Sequence, residues 1–283
     1  MTHPTHIAII GGGTMGNGIA QTAAISGYTV TLVDSFPAAL ERASATIEAS
    51  ITRMHSKGKL TDEQVAAARA IAMGSDLALA HTADLVIEAV PENLDLKRRI
   101  FTDLDHIAPP HAILASNTSS ISITALGAAT RRPEKVVGLH FFNPVAVMAL
   151  VEVIPGQATD PTTIDTVTEF ARRLGKTPVR TLDSAGFIVN RLLCPMLNEA
   201  IFALQEGLGT KEDIDTAMKL GASHPMGPLE LADYVGLDVL LDVMTVLHTN
   251  LGEDKYRPAP LLRRMVAAGH LGRKTGRGFY TYG

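Results

Sequence analysis

One histidine and one glutamate occupy positions suited to acid–base chemistry. His140 directly follows the apolar run at residues 136–139, whereas most of the ten histidines lie on polar or loop segments. Glu152 lies inside the apolar run 150–154, where an unpaired carboxylate is costly to bury. A carboxylate that orients an imidazole and stabilises its protonated form makes the histidine a better base. The pattern is compatible with a His140–Glu152 pair, and an edge-strand glutamate that faces solvent is an equally open alternative.

A hydroxyl-rich segment follows another predicted strand. Ser116-Asn117-Thr118-Ser119-Ser120 comes directly after the run at residues 112–115. Ligands of open α/β sheets bind at the carboxyl ends of the strands, and His140 is predicted to lie at that same edge. Here the segment would supply hydrogen bonds to a substrate and a cofactor. A simple polar turn, the usual role of such a run, is the alternative.

A glycine-rich turn near the N-terminus has the spacing of a dinucleotide site. Gly11-Gly12-Gly13-Thr14-Met15-Gly16 matches G-x-G-x-x-G. Gly11 allows the tight turn, Gly13 lets the backbone approach a pyrophosphate, and Gly16 lets the following helix pack close to the strand. The pyrophosphate would meet unpaired N–H groups at the helix N-terminus. The motif is weak alone, but an apolar strand precedes it and a helix follows it.

Asp34 indicates which dinucleotide this turn binds. It ends the next predicted strand, residues 28–33, at about the spacing of a ribose-binding carboxylate. A carboxylate accepts hydrogen bonds from the ribose hydroxyls and repels a 2′-phosphate, and neither Ser35 nor Phe36 offers a cation to bind that phosphate. The sequence therefore predicts NAD. A carboxylate that only caps a loop is the alternative.

Alternating strands and helices must position these residues. Strands are predicted at residues 6–10, 28–33, 85–90, 112–115, 136–139 and 150–154, and helices at 16–26, 94–107 and 161–174. This order predicts a Rossmann-type, doubly wound, mostly parallel sheet over residues 1–184. A helical hairpin at about residues 37–72 is inserted, because Pro37 can open a helix, Gly58 can end it, and Thr61 and Gln64 form a capping box before the next.

The predicted secondary structure changes in the last third of the chain. Residues 185–283 are predicted to form an all-α domain with helices at about 187–206, 210–220, 228–250 and 259–268, and no strand before the last few residues. Apolar helix faces, such as that of residues 238–244, would serve either the core of this domain or a second copy of the chain. His224 is expected to be a loop residue near the domain junction.

Composition excludes several classes of function. The net charge of −4 argues against a nucleic-acid partner, and no apolar run reaches the roughly 18 residues that span a membrane. The first residues show neither a secretory signal nor an Arg/Ser-rich leader, and no metal-site spacing is present. A single cysteine, Cys194, excludes an intramolecular disulfide and fits a reducing compartment. We expect a cytoplasmic protein in which Cys194 is a buried filler.

Motifs along nearly the whole chain also resemble one known family. These are, in order, GGGTMGNGIAQ, VIEAVPENLDLKRRIF, ASNTSS, GLHFFNPV, VEVIPG, GFIVNRLL, EDIDTAMKLGASHPMGPLELADYVGLD and GRKTGRGFY. Together they resemble the (S)-3-hydroxyacyl-CoA dehydrogenases, particularly the short, single-function 3-hydroxybutyryl-CoA dehydrogenases. The combination of SNTSS, HFFNP, GFIVNR and PMGP is highly specific, unlike the glycine motif alone.

The resemblance implies a role for each matching residue. His140 would be the base, Glu152 its orienting carboxylate, and Ser119 and Asn190 would contact the substrate beside the reacting carbon. Around NAD, the residues that join the glycine loop and Asp34 would be Glu92, Lys97, Ser119, Asn143 and Lys274. Ser50 and Lys57 would contact coenzyme A, in agreement with the basic hairpin residues Arg53, His55, Lys57 and Lys59. A solvated surface lysine is the alternative for Lys57.

The implied reaction is NAD-dependent oxidation of a short-chain (S)-3-hydroxyacyl-CoA to the 3-oxo thioester, and the reverse, as in fatty acid β-oxidation. The resemblance also implies a homodimer formed through the helical domain. Two alternatives remain from the residues: a dehydrogenase of another 3-hydroxy acid, such as a sugar acid or a carnitine-like substrate, and a non-catalytic NAD-binding protein. Neither would require this set of motifs.

Overall fold

The computed structural model describes residues 4–283. Residues 1–3 lie outside the described residues, and the prediction that the first residues carry no leader falls partly on them. The chain divides into two compact units, Met1–Asp183 and Ser184–Gly283. The first combines a sheet with helices and the second is helical, so the predicted fold class is confirmed.

An eight-stranded sheet organises the described part of the first unit. The strands are β1 His6–Ile10, β2 Thr29–Val33, β3 Ala72–Gly74, β4 Leu85–Glu88, β5 Ile113–Ser116, β6 Val136–Phe141, β7 Leu150–Pro155 and β8 Thr177–Arg180. Their order in the sheet is β3-β2-β1-β4-β5-β6-β7-β8. All neighbouring strands run parallel except β6 and β7, which are antiparallel. β1, β4, β5 and β6 are almost wholly buried, as expected for strands covered on both faces.

The helices of the first unit are α1 Thr14–Ile25, α2 Pro37–Ser56, α3 Asp62–Arg69, α4 Leu94–Ile107, α5 Ile123–Gly127 and α6 Pro161–Arg173. The hairpin of α2 and α3 forms for the predicted reasons: Pro37 is the first helical residue, Gly58 has a φ of 65°, and the Thr61 capping box is present. The hairpin is shorter than the predicted 37–72, because residues after Ala70 turn into the short strand β3.

The second unit comprises α7 Val189–Gln205, α8 Lys211–Gly221, α9 Pro228–Val235, α10 Leu237–Leu251 and α11 Pro260–Ala267. The prediction of one helix over residues 228–250 was wrong. Gly236 has a φ of 102°, which no helix accommodates, and it separates α9 from α10.

The core of the second unit uses much of the face considered for a second copy. Leu240, Val243 and Met244 of α10 are buried within this unit, whereas Val239 is exposed. Cys194 is buried among the same apolar residues, and burial raises the pKa of its thiol to about 12, so it is a filler as predicted. Within residues 4–283, none of the helices has the length and apolar character needed to cross a membrane.

Candidate active site

His140 and Glu152 form a buried pair on neighbouring strands. They occupy directly opposed positions of β6 and β7, and His140 Nδ1 lies 2.7 Å from Glu152 Oε2. The two side chains are 6% and 1% exposed. The two strands are joined by only eight residues, too few for the crossover that parallel strands require, so β7 runs antiparallel and brings Glu152 back to the end of β6.

This geometry determines which ring nitrogen of His140 carries a proton. A carboxylate only accepts hydrogen bonds, so Nδ1 carries the proton that faces Glu152, and Nε2 is the nitrogen that a neutral ring can use as a base. The Phe142 ring lies 4.5 Å from the imidazole, centroid to centroid, and makes one side of the surround apolar. Asn117 fixes the strand end, because its Oδ1 accepts a hydrogen bond from the backbone N–H of Phe141 at 2.8 Å.

The glycine loop has the shape that a dinucleotide requires. Gly11 has a φ of 110°, and a Cβ there would lie 2.7 Å from the carbonyl oxygen of Ala89. A Cβ at Gly16 would lie 1.7 Å from the carbonyl oxygen of Gly11, so this helix turn packs against the loop as predicted. A Cβ at Gly13 would meet nothing within 4 Å, and no side chain caps α1 there. The exposed residues Gly13 and Thr14 therefore present open space at a helix N-terminus, which fits a pyrophosphate.

Asp34 lies directly beyond β2 and contacts this loop. Its Oδ2 accepts a hydrogen bond from the backbone N–H of Gly12 at 2.7 Å, and its Oδ1 accepts one from the N–H of Phe36 at 2.9 Å. The carboxylate is only partly buried, so it remains accessible to ribose hydroxyls. Met15 lies in the first turn of α1 and is partly buried against the core of the sheet.

Glu92 gathers the hydroxyl-rich segment after β5. Its Oε1 accepts hydrogen bonds from the backbone N–H groups of Ser119 and Ser120, at 3.0 and 2.9 Å, and from the hydroxyls of Thr118 and Ser120. Partial burial would raise the pKa of Glu92, but the charge of Lys97 and these hydrogen bonds hold it below its ordinary value. The backbone of Ser119 is thus held by a charged residue from the neighbouring connection, which follows β4.

Lys97 lies beneath this segment rather than on the surface. Its side chain is 1% exposed, and its ammonium lies 2.6 Å from Glu88 Oε1, 3.2 Å from the carbonyl oxygen of Val90 and 3.5 Å from Glu92 Oε2. Glu88, at the end of β4, is fully buried and was missed from the sequence. The reasoning that selects Glu152, a charge inside an apolar strand, also applies to Glu88.

Asn143 lies in the exposed loop between β6 and β7. Lys176, another residue that the sequence did not suggest, supports this loop: its ammonium donates hydrogen bonds to the carbonyl oxygens of Val145 and Met148, at 2.5 and 2.9 Å. Partial burial lowers the pKa of Lys176. Asn143 therefore lies in a loop that hydrogen bonds from Lys176 hold in place, shortly after His140 in the chain.

The remaining predicted residues lie on the helical hairpin and in the second unit. On the hairpin, Ser50 is partly buried on α2, and Lys57 is exposed at the end of that helix. In the second unit, Asn190 lies in the first turn of α7 and is partly buried. Lys274 lies in a short 3₁₀ turn, where its ammonium is 2.5 Å from Asp238 Oδ2.

Comparison with protein families gives two consecutive matches. Residues 6–184 match the model of the 3-hydroxyacyl-CoA dehydrogenase NAD-binding domain. Residues 186–282 match the model of the 3-hydroxyacyl-CoA dehydrogenase C-terminal domain. The two models cover nearly the whole chain and divide it close to the boundary between the two compact units.

Individual relatives match over their full length. A probable 3-hydroxybutyryl-CoA dehydrogenase of Deinococcus radiodurans is 53% identical over 97% of this chain and 99% of its own. The human mitochondrial hydroxyacyl-coenzyme A dehydrogenase is 48% identical over 98% of this chain and 91% of its own. Among solved structures, (S)-3-hydroxybutyryl-CoA dehydrogenase from Ralstonia eutropha has a TM-score of 0.95 at 51% identity, covering 99% of both chains.

Proposed function

This chain belongs to the 3-hydroxyacyl-CoA dehydrogenase family, and from that premise we propose that it oxidises short-chain (S)-3-hydroxyacyl-CoA, such as 3-hydroxybutyryl-CoA, to the 3-oxoacyl-CoA. It is an NAD-dependent oxidoreductase, as the match to the NAD-binding domain model indicates. The observation that carries the proposed chemistry is the buried His140–Glu152 pair. It lies at the edge of the sheet where the glycine loop follows β1 and the Ser119 segment follows β5.

The proton of the reacting hydroxyl is assigned to His140. Bound NAD supplies the acceptor for the hydride that leaves carbon 3. Neutral His140 takes the 3-hydroxyl proton at Nε2, and the resulting imidazolium is stabilised by Glu152, 2.7 Å from Nδ1. In the reverse direction His140 returns that proton to the 3-oxo oxygen. The Glu152 carboxylate stays in place throughout and keeps the ring in one tautomer.

Other residues are assigned to positioning the reactants. The glycine loop with Thr14 and Met15, together with Asp34, would hold the pyrophosphate and the adenosine ribose. The cofactor site would be completed by Glu92, Lys97, Ser119, Asn143 and Lys274. Ser119 and Asn190 would hold the oxygen that changes from hydroxyl to ketone. This assignment follows the family resemblance, and the position of Ser119 at a carboxyl strand edge supports it.

The thioester carrier is assigned to the helical hairpin. Ser50 and Lys57 of α2 would contact coenzyme A, whose phosphates attract cations. The support is the exposed basic end of the hairpin, where Arg53, Lys57 and Lys59 lie close in sequence and are all solvent-accessible. A carrier with several phosphates would gain from this cluster, whereas a free hydroxy acid would not.

The proposal extends to assembly and location. A homodimer through the second unit is supported by its exposed large apolar side chains, Leu192, Leu208, Leu220, Tyr234 and Val239. A cytoplasmic enzyme of fatty acid metabolism fits a chain whose one cysteine is a free, buried thiol.

A substrate and cofactor comparison tests the proposal. Turnover of 3-hydroxybutyryl-CoA and of free 3-hydroxybutyrate is measured with NAD and with NADP, and in reverse with 3-oxoacyl-CoA esters of increasing length. We expect NAD-dependent turnover of the short thioester and little of the free acid. Equal kcat/KM values for the thioester and the free acid would instead support a dehydrogenase of free 3-hydroxy acids, and NADH binding with no turnover would support a non-catalytic protein.

A further inference from the structure

Glu88 is a buried charge that the chemistry above does not use. It is the last residue of β4, and its side chain is fully buried. Both carboxylate oxygens have short contacts: Oε1 accepts from Lys97 Nζ at 2.6 Å and from the backbone N–H of Val90 at 2.7 Å, and Oε2 accepts from the Ser116 hydroxyl at 2.6 Å. A buried carboxylate with this many donors is held in a fixed position.

These contacts join three separate parts of the sheet edge. Ser116 ends β5 and begins the segment that carries Ser119, Val90 lies in the connection after β4, and Lys97 lies in the first turns of α4. The Lys97 ammonium donates hydrogen bonds to Glu88 and to the carbonyl oxygen of Val90, and it forms an ion pair with Glu92 Oε2 at 3.5 Å. Lys97 therefore links the fully buried Glu88 to Glu92, which is 39% exposed.

We propose that Glu88 is a positioning residue that, through Lys97 and Ser116, holds Glu92 and the Ser119 segment in the conformation that binds the nicotinamide end of NAD. The proposal rests on the function proposed above. Glu88 fixes the Lys97 ammonium, Lys97 holds Glu92 in its charged form, and Glu92 accepts the backbone hydrogen bonds of Ser119 and Ser120. Both Glu88 and Ser116 are fully buried, so neither is assigned a contact with the reactants.

Two variants and one matched control test this role. Glu88→Gln keeps the side-chain shape and removes the charge that faces Lys97. Ser116→Ala removes one hydroxyl and leaves the ion pair of Glu88 and Lys97 in place. Asp105→Asn is the control, because Asp105 is also a buried carboxylate of the first unit that pairs with two cations, Arg131 and Arg132, at the other end of α4. NADH affinity is measured by fluorescence titration, and amide hydrogen exchange is followed over residues 116–122.

We expect Glu88→Gln to weaken NADH binding about tenfold or more and Ser116→Ala to weaken it about threefold or more, the range of lost buried hydrogen bonds. In both variants residues 116–122 should exchange faster, whereas Asp105→Asn should leave NADH affinity within about twofold of wild type. If Glu88→Gln binds NADH as Asp105→Asn does, or if Ser116→Ala matches wild type in both affinity and exchange, the proposal is wrong.

A double variant covers the case in which Glu88→Gln does not fold. Glu88→Gln with Lys97→Met removes both buried charges together, so no uncompensated ion remains. We expect it to recover thermal stability but not the wild-type amide hydrogen exchange of residues 116–122. Recovery of both would show that Glu88 only neutralises Lys97. Turnover of 3-hydroxybutyryl-CoA by the wild-type enzyme is measured first, so that failure of the proposed function is seen separately from failure of this one.

Discussion

Asp34 accepts a hydrogen bond from the backbone N–H of Gly12, with 2.7 Å between the nitrogen and Oδ2. The residue that discriminates between cofactors therefore also holds the loop that binds their pyrophosphate. The two roles respond differently to substitution, since an amide oxygen can replace the carboxylate as an acceptor but not as a negative charge.

Asp34→Asn should therefore relax cofactor choice while the glycine loop stays in place. We expect the NAD-over-NADP ratio of kcat/KM to fall about ten- to hundredfold, the equivalent of losing a charge-assisted hydrogen bond. Steady-state kinetics with both cofactors measures this. Asp34→Ala, which also removes the acceptor for Gly12, should bind both cofactors poorly. An unchanged ratio in Asp34→Asn would show that Asp34 only caps the loop.

His140→Gln should remove the base and leave binding intact. We expect kcat to fall about 10²- to 10⁴-fold, the range of general acid–base catalysis. NADH affinity should stay within about twofold of wild type, because the assigned cofactor contacts do not include His140. Stopped-flow turnover and fluorescence titration on the same preparation separate the two quantities. Turnover near the wild-type rate would refute the assignment of the base.

Glu152→Gln should slow the reaction through the tautomer of His140. The new amide can donate to Nδ1, which moves the ring proton to Nε2 and blocks it as a base, so kcat should fall about 10²- to 10⁴-fold. Because the two residues act as one unit, the double variant Glu152→Gln with His140→Gln should be about as slow as His140→Gln alone. Additive losses in kcat would mean that Glu152 has a separate role.

Lys57→Ala should affect the thioester substrate selectively. We expect the KM for 3-hydroxybutyryl-CoA to rise about three- to tenfold with little change in kcat, since one partly screened charge on a phosphate is lost. The effect should shrink as salt is raised. Lys219→Ala, which replaces another exposed lysine on α8, is the matched control. Identical KM values for the two variants would show that Lys57 is an ordinary solvated lysine.

Tyr282 should make the enzyme less stable in alkaline solution. Burial and the hydrogen bond to Asp233 raise the pKa of Tyr282 from 10.0 to about 12. A raised pKa stabilises the folded state fully below the unfolded value, and that contribution is lost as pH rises from about 10 through about 12. Denaturant unfolding of wild type and Tyr282→Phe across this range measures it. The stability difference between them should change with pH only there; a constant difference would contradict the prediction.

Much of the sheet could be predicted because its strands are buried on both faces. β1, β4, β5 and β6 are largely apolar runs, and this is a strong signal. β3 and β8 were not predicted, because Ala72–Gly74 is short and Thr177–Arg180 is largely exposed at the sheet edge. The break at Gly236 was missed because an isolated glycine does not reveal its φ angle.

Site residues could be predicted where a charged or titratable residue lies at the end of an apolar strand or within it. His140, Glu152 and Asp34 each follow or interrupt an apolar strand, so their position at the sheet edge follows from the pattern. The orientation of Lys97 does not: on an amphipathic helix a lysine is expected to face solvent, and only the buried Glu88 explains why it points inward. Contacts between residues distant in sequence, such as Glu92 with Ser119, likewise need the folded chain.

The register of β6 and β7 has a consequence for how this enzyme can diversify. The strand ladder sets the separation of His140 and Glu152, so residues added to or removed from the loop between them leave the pair intact. A slip of β7 by one residue would instead turn Glu152 to the opposite face and abolish the pair. Residues 144–149 can therefore change in length and sequence without separating His140 from Glu152.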